Sequence, residues 1–278
     1  MGYDLHIHST YSDGTLKPGQ LIVKALERGL SGIALTDHDS VGGIPEALEA
    51  TEAYGDACRH FTFIPGVELT TDYEETEVHI LGYNFNYQDD RLVKKLDLII
   101  AGRNERAKLI LKKLNNHGIS LSWEKVSSQT SGRFVGRSHI FKAMEDSGFV
   151  KKEQIRETFN YYLGKKGVAY IPHLEITTVE AIALINDTGG VSVLAHPGRM
   201  GDDGLIQRLV DYGLQGIEVY YPVHTREMEQ RYLEFAVKYH LVVTGGSDYH
   251  GAFSSVKMGE SQVAELSPEI MRASSRHL

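Results

Sequence analysis

A single cysteine, Cys58, in 278 residues removes two possibilities at once. No disulfide framework can form within the chain, and no thiolate cluster can hold a metal. Apolar runs approaching membrane-spanning length are absent as well. Internal repeats and low-complexity segments are also lacking. The first strand-like run begins at about residue 3, which leaves no room for a signal peptide, so the expected compartment is the cytoplasm. The length suits one barrel-sized domain or a domain carrying an insertion.

The net charge of −8 is unevenly spread. Residues 91–166 carry 17 Lys and Arg against 7 Asp and Glu, a surplus of +10, while the rest of the chain holds 12 basic and 30 acidic residues. A basic segment set in an acidic body fits a polyanionic ligand approaching one side. A solvated, lysine-rich helical face accounts for the same count.

Strand-like and helix-like runs alternate on both sides of that segment. Strands are expected at Tyr3–His8, Gly32–Thr36, Phe61–Glu68, Val78–Tyr83, Val191–Ala195, Gly216–Tyr220 and Leu241–Gly245. Helical periodicity marks Leu16–Leu30, Ile44–Tyr54, Leu205–Tyr212 and Arg226–Tyr239. From about Gln88 to Val191 only helical patterns appear, with one long helix over Leu92–His117. The pattern predicts a parallel, barrel-like α/β fold: residues 1–90 and 188–278 form the barrel, and 91–187 an inserted, mostly helical subdomain.

The residues able to do chemistry sit at the ends of these strands. His6 and His8 share one strand face, and the turn Ser12-Asp13-Gly14 returns a carboxylate towards them. Further along come His38, Glu68, His79, His196, Asp248 and His250. In parallel α/β barrels the strand C-termini form the active site. Six imidazoles and three carboxylates exceed what one ion needs and suit two or three divalent ions, with Zn²⁺, Mn²⁺ or Fe²⁺ preferred by the mixed donor set.

The ordered motifs Asp4-Leu5-His6-Ile7-His8, Thr36-Asp37-His38-Asp39, Pro65-Gly66-Val67-Glu68, the isolated His79, Ala195-His196-Pro197-Gly198 and Gly246-Ser247-Asp248-Tyr249-His250 resemble the PHP (polymerase and histidinol phosphatase) metallophosphoesterases. The resemblance covers nearly the whole chain and implies a distorted (β/α)7 barrel with a di- or trinuclear site. It implies that His6, His8, Glu68 and Asp248 hold a first metal, and that Glu68 bridges to a second completed by His79 and His196. Asp13, His38 and His250 would hold a third. A narrower resemblance, to nucleoside 3',5'-bisphosphate phosphatases and relatives that shorten 5'-phosphorylated RNA, rests on the insertion length and on Gly136-Arg137-Ser138-His139. Ser138 departs from the proline expected there.

The expected reaction is hydrolysis of a nucleotide phosphate ester by metal-bound hydroxide, with Arg137 and Arg199 clamping a phosphate because guanidinium matches its geometry bidentately. His139 is read as a substrate contact or a helix cap. Asp4, Asp37 and Asp39 are read as carboxylates behind the ligands, with an N-cap equally good for Asp39. Glu218 ends the sixth strand and is read as packing more than as a substrate contact, and Tyr249 as lining the pocket or packing. Arg103 and Arg106 are expected to make ordinary helix-face ion pairs, and Trp123 to fill the core of the insertion. His60, His117, His173, His224, His240 and His277 fall outside the motifs. Histidinol phosphatase is the alternative enzyme, and a metal-binding interaction module the alternative without chemistry. Neither a membrane nor a stable protein partner is implied, and the acidic body lacks an aromatic RNA-reading motif.

Overall fold

The structure, a computed structural model, describes residues 2–74, 76–130, 132–133, 135–172, 175–253 and 255–274. His173 and His277 lie outside the described residues. The strands are β1 (Tyr3–Ile7), β2 (Gly32–Leu35), β3 (Thr62–Tyr73), β4 (Thr76–Tyr83), β5 (Val191–Leu194), β6 (Gly216–Tyr220) and β7 (Val242–Gly245). They form one seven-stranded sheet in sequence order. The parallel bridge between Ile7 and Tyr249 brings the end of the β7 segment back to β1 and closes the barrel. Helices α1 (Pro18–Glu27) and α2 (Ile44–Ala53) follow β1 and β2. Their apolar stripes, led by Leu21, Ile22, Ala25, Ile44 and Ala47, pack onto the sheet.

The strictly parallel arrangement expected from the alternation is corrected at β4. This strand runs antiparallel to both β3 and β5. β3 continues past Glu68 to Tyr73, turns at Glu74, whose φ is 50°, and returns directly as β4. The physical reason is length: only residues 69–77 separate Glu68 from Val78, whereas a parallel crossover needs about a dozen residues or more. The β-branched pair Thr70-Thr71 extends the strand instead.

Between β4 and β5 the described residues form helices α3 (Asp90–Asn116), α4 (Trp123–Ser127), α5 (Arg137–Asp146), α6 (Ile155–Tyr162) and α7 (Thr178–Asp187). Asp89 caps α3 by accepting from the amides of Arg91 and Leu92 at 2.8 and 3.4 Å. A hydrophobic cluster of its own joins the second half of α3 to α4, α5 and α6, built on Ile110, Leu114, Val126, Ile140, Met144 and Leu163, with Trp123 and Phe159 packed against it, while α7 packs into the barrel core through Ala181, Ile182 and Ile185. Helices α8 (Gly204–Asp211) and α9 (Arg226–Tyr239) complete the β5–β7 half, and α10 (Pro268–Ser274) follows the barrel. No helix among the described residues is long and apolar enough to cross a membrane.

Candidate metal centre

Glu68, buried in the middle of β3, is the hub of the site. Its Oε2 lies 3.3 Å from His6 Nε2 and 3.2 Å from both His8 Nε2 and His38 Nδ1. Its Oε1 lies 2.8 Å from His79 Nδ1 and 3.2 Å from His196 Nε2. Asp248 Oδ1 closes on His6 and His8 Nε2 at 3.4 and 3.2 Å, and Asp13 Oδ1 on His250 Nε2 at 3.2 Å. His79 reaches this point from the start of its strand because β4 runs backwards, which pairs it with Thr70 of β3.

Among the described residues, three overlapping sets have ligand atoms within 4.8 Å of one another: His6, His8, Glu68 and Asp248; His8, Asp13, His38 and His250; and His38, Glu68 and His79. The first set is the one the resemblance implies. The others differ in that His38 lies near Glu68 as well as near Asp13 and His250, and His8 adjoins the Asp13 group. Among the described residues, the buried atoms His6 Nε2, His8 Nε2, His79 Nε2, Asp13 Oδ1 and Glu68 Oε2 make no well-aligned hydrogen bond and meet only one another or a neighbouring carboxylate or imidazole. Leaving such atoms unsatisfied costs about 1–3 kcal/mol each. Nitrogen and carboxylate donors converging in this way fit divalent cations.

The far sides of the rings are held in place. His6 Nδ1 meets Glu218 Oε1 at 3.0 Å, and the other oxygen of Glu218 accepts from the His196 amide at 2.7 Å. Glu218 therefore orients two of the histidines rather than merely filling a strand end. Asp37 accepts from the Ser9 amide and hydroxyl and from Ser12 Oγ, at 2.6–2.7 Å, and pins the loop after β1. Asp4 accepts from Ser247 and Gly259 and anchors the loop bearing Asp248. His196 (φ 28°) and Asp248 (φ 53°) adopt left-handed backbone conformations that side chains other than glycine rarely take. Strain of this kind collects at functional sites, where surrounding structure enforces it.

Electrostatics follow from this crowding. Burial disfavours a charged His8, but contact with Asp248 and Glu68 outweighs it and raises the pKa to about 10. Burial likewise opposes a charged His79, and the Glu68 carboxylate carries it up to about 9. His38 and His196 are dominated by burial and shifted down. Burial works against the Glu68 carboxylate, yet the His38 and His6 rings hold it well below the usual carboxylate range. Asp4, enclosed completely, is pushed up to about 6.

Two cavities open onto this cluster. One of about 360 Å³ is lined by His38, Glu68, His196, Arg199, Tyr221 and Asp248. An adjoining cavity of about 150 Å³ is lined by Arg103, Arg106 and Arg137, and shares Asp13, His38, His79 and Ser138 with the first. Arg137 and Arg199 thus line neighbouring cavities rather than one clamp. Arg137 Nη2 donates to both carboxylate oxygens of Glu77, at 2.8 and 2.6 Å. Arg199 lies 3.5 Å from Asp248 and over the Tyr221 ring. His139 is buried, with Nδ1 accepting from the Gly136 amide at 3.0 Å, so it caps α5, and the expected alternative of substrate contact gives way.

The expectation for Arg103 and Arg106 is corrected too. Both are buried, at 5% and 6% exposure. Arg103 Nε meets Asp39 Oδ2 at 2.5 Å. Arg106 Nε donates to the Ile171 carbonyl at 2.7 Å, while its Nη2 is buried without a partner among the described residues. Burial and the charges of Arg137 and Arg103 lower the Arg106 pKa to about 10. The signal was available in the sequence: Ile99, Arg103, Arg106, Ala107 and Ile110 occupy one helical stripe, so the arginines sit on the buried face of α3. Tyr221, which donates to Asp248 Oδ2 at 3.0 Å, carried no motif and was not foreseen.

The PHP domain family pattern matches residues 4–168. The chain is 31% identical over 262 residues to the 5'-3' exoribonuclease Rnm of Salmonella typhimurium, covering 92% of this chain and 88% of that protein. It is 35% identical over 254 residues to the 3',5'-nucleoside bisphosphate phosphatase of Chromobacterium violaceum, covering 89% and 86% respectively. Among solved structures, a protein from Bifidobacterium adolescentis described as a metal-dependent phosphoesterase superposes with a TM-score of 0.87 at 29% identity, over 100% of this chain and 97% of that one. A histidine–carboxylate centre in a distorted seven-stranded barrel, matched over its length by these proteins, makes this chain a member of the PHP domain family and a metal-dependent phosphoesterase.

Proposed function

We propose that the protein hydrolyses a phosphate ester of a nucleotide, most directly the 3'-phosphate of a nucleoside 3',5'-bisphosphate. The observation that carries this reading is the arginine-lined cavity beside the histidine–carboxylate cluster, with Asp13, His38, His79 and Ser138 shared between them. One phosphate would lie at the cluster and a second against Arg103, Arg106 and Arg137. The unpartnered, buried Nη2 of Arg106 supports an anionic occupant.

In this reading His6, His8, Glu68 and Asp248 hold one ion, Glu68, His79 and His196 a second, and Asp13, His38 and His250 a third, with Mn²⁺, Zn²⁺ or Fe²⁺ suited to the donors. Two or three such ions, when bound, supply a nucleophile at neutral pH and neutralise phosphoryl charge. Arg199 and Tyr221 line the cluster cavity away from the arginine pocket, and the leaving nucleoside departs on the arginine side, where its 5'-phosphate would be held. Residues 91–187 act as the substrate-recognition unit, since they supply every arginine of the second cavity.

Short RNA with a 5'-phosphate is a second substrate in the same class. The larger cavity runs past exposed Val223 and half-exposed Arg199, which supports a chain continuing beyond the scissile phosphate. Product analysis with Mn²⁺-loaded protein tests both readings. Adenosine 3',5'-bisphosphate should yield 5'-AMP and phosphate, and 5'-phosphorylated RNA should yield mononucleotides stepwise. Cleavage of L-histidinol phosphate alone would overturn the nucleotide reading.

A further inference from the structure

His224 falls outside every sequence motif, yet it holds the loop that brings His196 and Arg199 to the cluster. It lies between β6 and α9. Its Nδ1 sits 2.8 Å from the carbonyl oxygen of Val219, and its Nε2 accepts from the Gly198 amide at 3.2 Å. A carbonyl oxygen can only accept and an amide N–H only donate, so the ring is neutral and carries its proton on Nδ1. A proton on Nε2 would set two N–H groups against each other. The loop lies directly on this ring. A methyl group at Gly198 would come within 2.8–2.9 Å of His224 Cδ2 and Nε2 and would run into Met228 Cε. Tyr221 and Tyr232 pack against the ring with centroids 5.2 and 5.1 Å away, so its orientation is fixed.

We infer that His224 is a positioning residue for the phosphoester hydrolysis, a claim that rests on His196 and Arg199 serving the cluster as proposed above. The loop after β5 has two anchors. At its start, the His196 amide is tied to Glu218 at 2.7 Å, with the strained φ of 28°. Pro197 has no N–H to offer, so the Gly198 amide makes the second anchor, on His224. The Arg199 amide then closes the turn onto the His196 carbonyl at 2.9 Å. Tyr221, packed against His224, also lies beneath the Arg199 guanidinium and donates to Asp248 Oδ2. One imidazole therefore braces the turn that carries His196 and Arg199 and the tyrosine that orients Asp248. What the turn requires at this point is a hydrogen-bond acceptor where Nε2 stands, and a carboxamide oxygen placed there fills the same role.

Two variants of the full-length protein test this. His224→Asn keeps a donor near Val219 but stops short of Gly198, whereas His224→Gln carries its oxygen to the Nε2 position. With adenosine 3',5'-bisphosphate and Mn²⁺-loaded protein, the Asn variant should lose about tenfold or more in kcat/KM, because a small misplacement of reacting groups is costly. Titration of the metal-free protein should show one Mn²⁺ bound about tenfold more weakly in the Asn variant. The Gln variant should recover both to within about threefold of the original protein. NMR of ¹⁵N-labelled histidine, with the His224 signal identified by its loss in the Gln variant, should show a neutral ring with its proton on Nδ1. An Asn variant unchanged in turnover and Mn²⁺ binding, equal losses in both variants, or a proton on Nε2 overturns the positioning role. If His196→Ala and Arg199→Ala also leave turnover unchanged, the proposed reading of the cluster falls with it. If the original protein does not cleave the bisphosphate, the nucleotide reading alone falls, and the Mn²⁺ titration and the ring's protonation decide the role of His224.

Discussion

Ser138 Oγ donates to Asp13 Oδ2 at 2.9 Å across 125 residues of sequence. The contact ties α5 of the helical segment to the loop after β1, and Ser138 is part of the lining of both cavities at the cluster. A proline at 138 would offer no such donor. The other oxygen of Asp13 faces His250, so the serine fixes which way that carboxylate points.

Ser138→Ala should therefore lower kcat/KM about tenfold without unfolding the protein, because partners of metal-binding groups typically matter by 10–100-fold. Ser138→Thr, which keeps the hydroxyl, should restore most of the loss. Steady-state kinetics with matched circular dichroism checks both, and an unaffected alanine variant would show that the contact has no functional role.

Arg106→Ala should reduce kcat/KM for a nucleoside 3',5'-bisphosphate by about 100-fold, the loss of a buried charged contact. A nucleoside 3'-monophosphate, which leaves the arginine cavity empty, should respond less than about threefold to the same substitution. Equal losses on both substrates would point to a structural role for Arg106.

Glu68→Ala removes the oxygens that five histidines approach. Elemental analysis after gel filtration should find at least one fewer ion per chain, and turnover should fall by more than about 100-fold. Full metal content with normal turnover would contradict the hub role.

Divalent-ion binding should release protons at pH 7. The ordinary histidine value is 6.5, and the fold raises His8 to about 10 and His79 to about 9. In the metal-free protein the stability from these protonated rings is complete below about pH 6.5 and is lost as pH rises through about 9 to 10. A metal ligand must be the neutral ring, so the ion displaces those protons and binds more tightly as pH rises towards that range. Calorimetry in buffers of different ionisation enthalpy measures the release directly.

Asp39→Ala should destabilise the protein by about 3 kcal/mol in urea unfolding, because it removes one half of a buried ion pair with Arg103. Asp39 is fully buried and also accepts from the Thr70 amide at 3.3 Å, so the substitution loosens β3 beside Glu68 as well. A shift below about 0.5 kcal/mol would mean that Arg103 finds another partner.

Much of this protein was legible in the chain itself. Local periodicity is a short-range property, so it identified the seven strands and placed the helices it marked to within about three residues, while α4 and α10 were not expected. Arg226–Tyr239 agreed at both ends. Most of the nine candidate ligands stood out because they lie in short motifs at or just after a strand end, whereas Glu68 sits in the middle of β3 and the isolated His79 within β4.

Tertiary structure decided what depends on contacts between distant segments. The reversal of β4 follows from β3 extending and turning back, and it is what delivers His79 to Glu68. The pairing of Arg103 with Asp39, the seating of Arg106 and Arg137 in one cavity, and the contact of Ser138 with Asp13 each join α3 or α5 to a barrel loop. Sequence spacing shows that an arginine lies in a buried stripe. Which carboxylate or cavity it meets is set by packing of the helices against the barrel, a non-local balance of burial and charge that no single stretch of residues encodes.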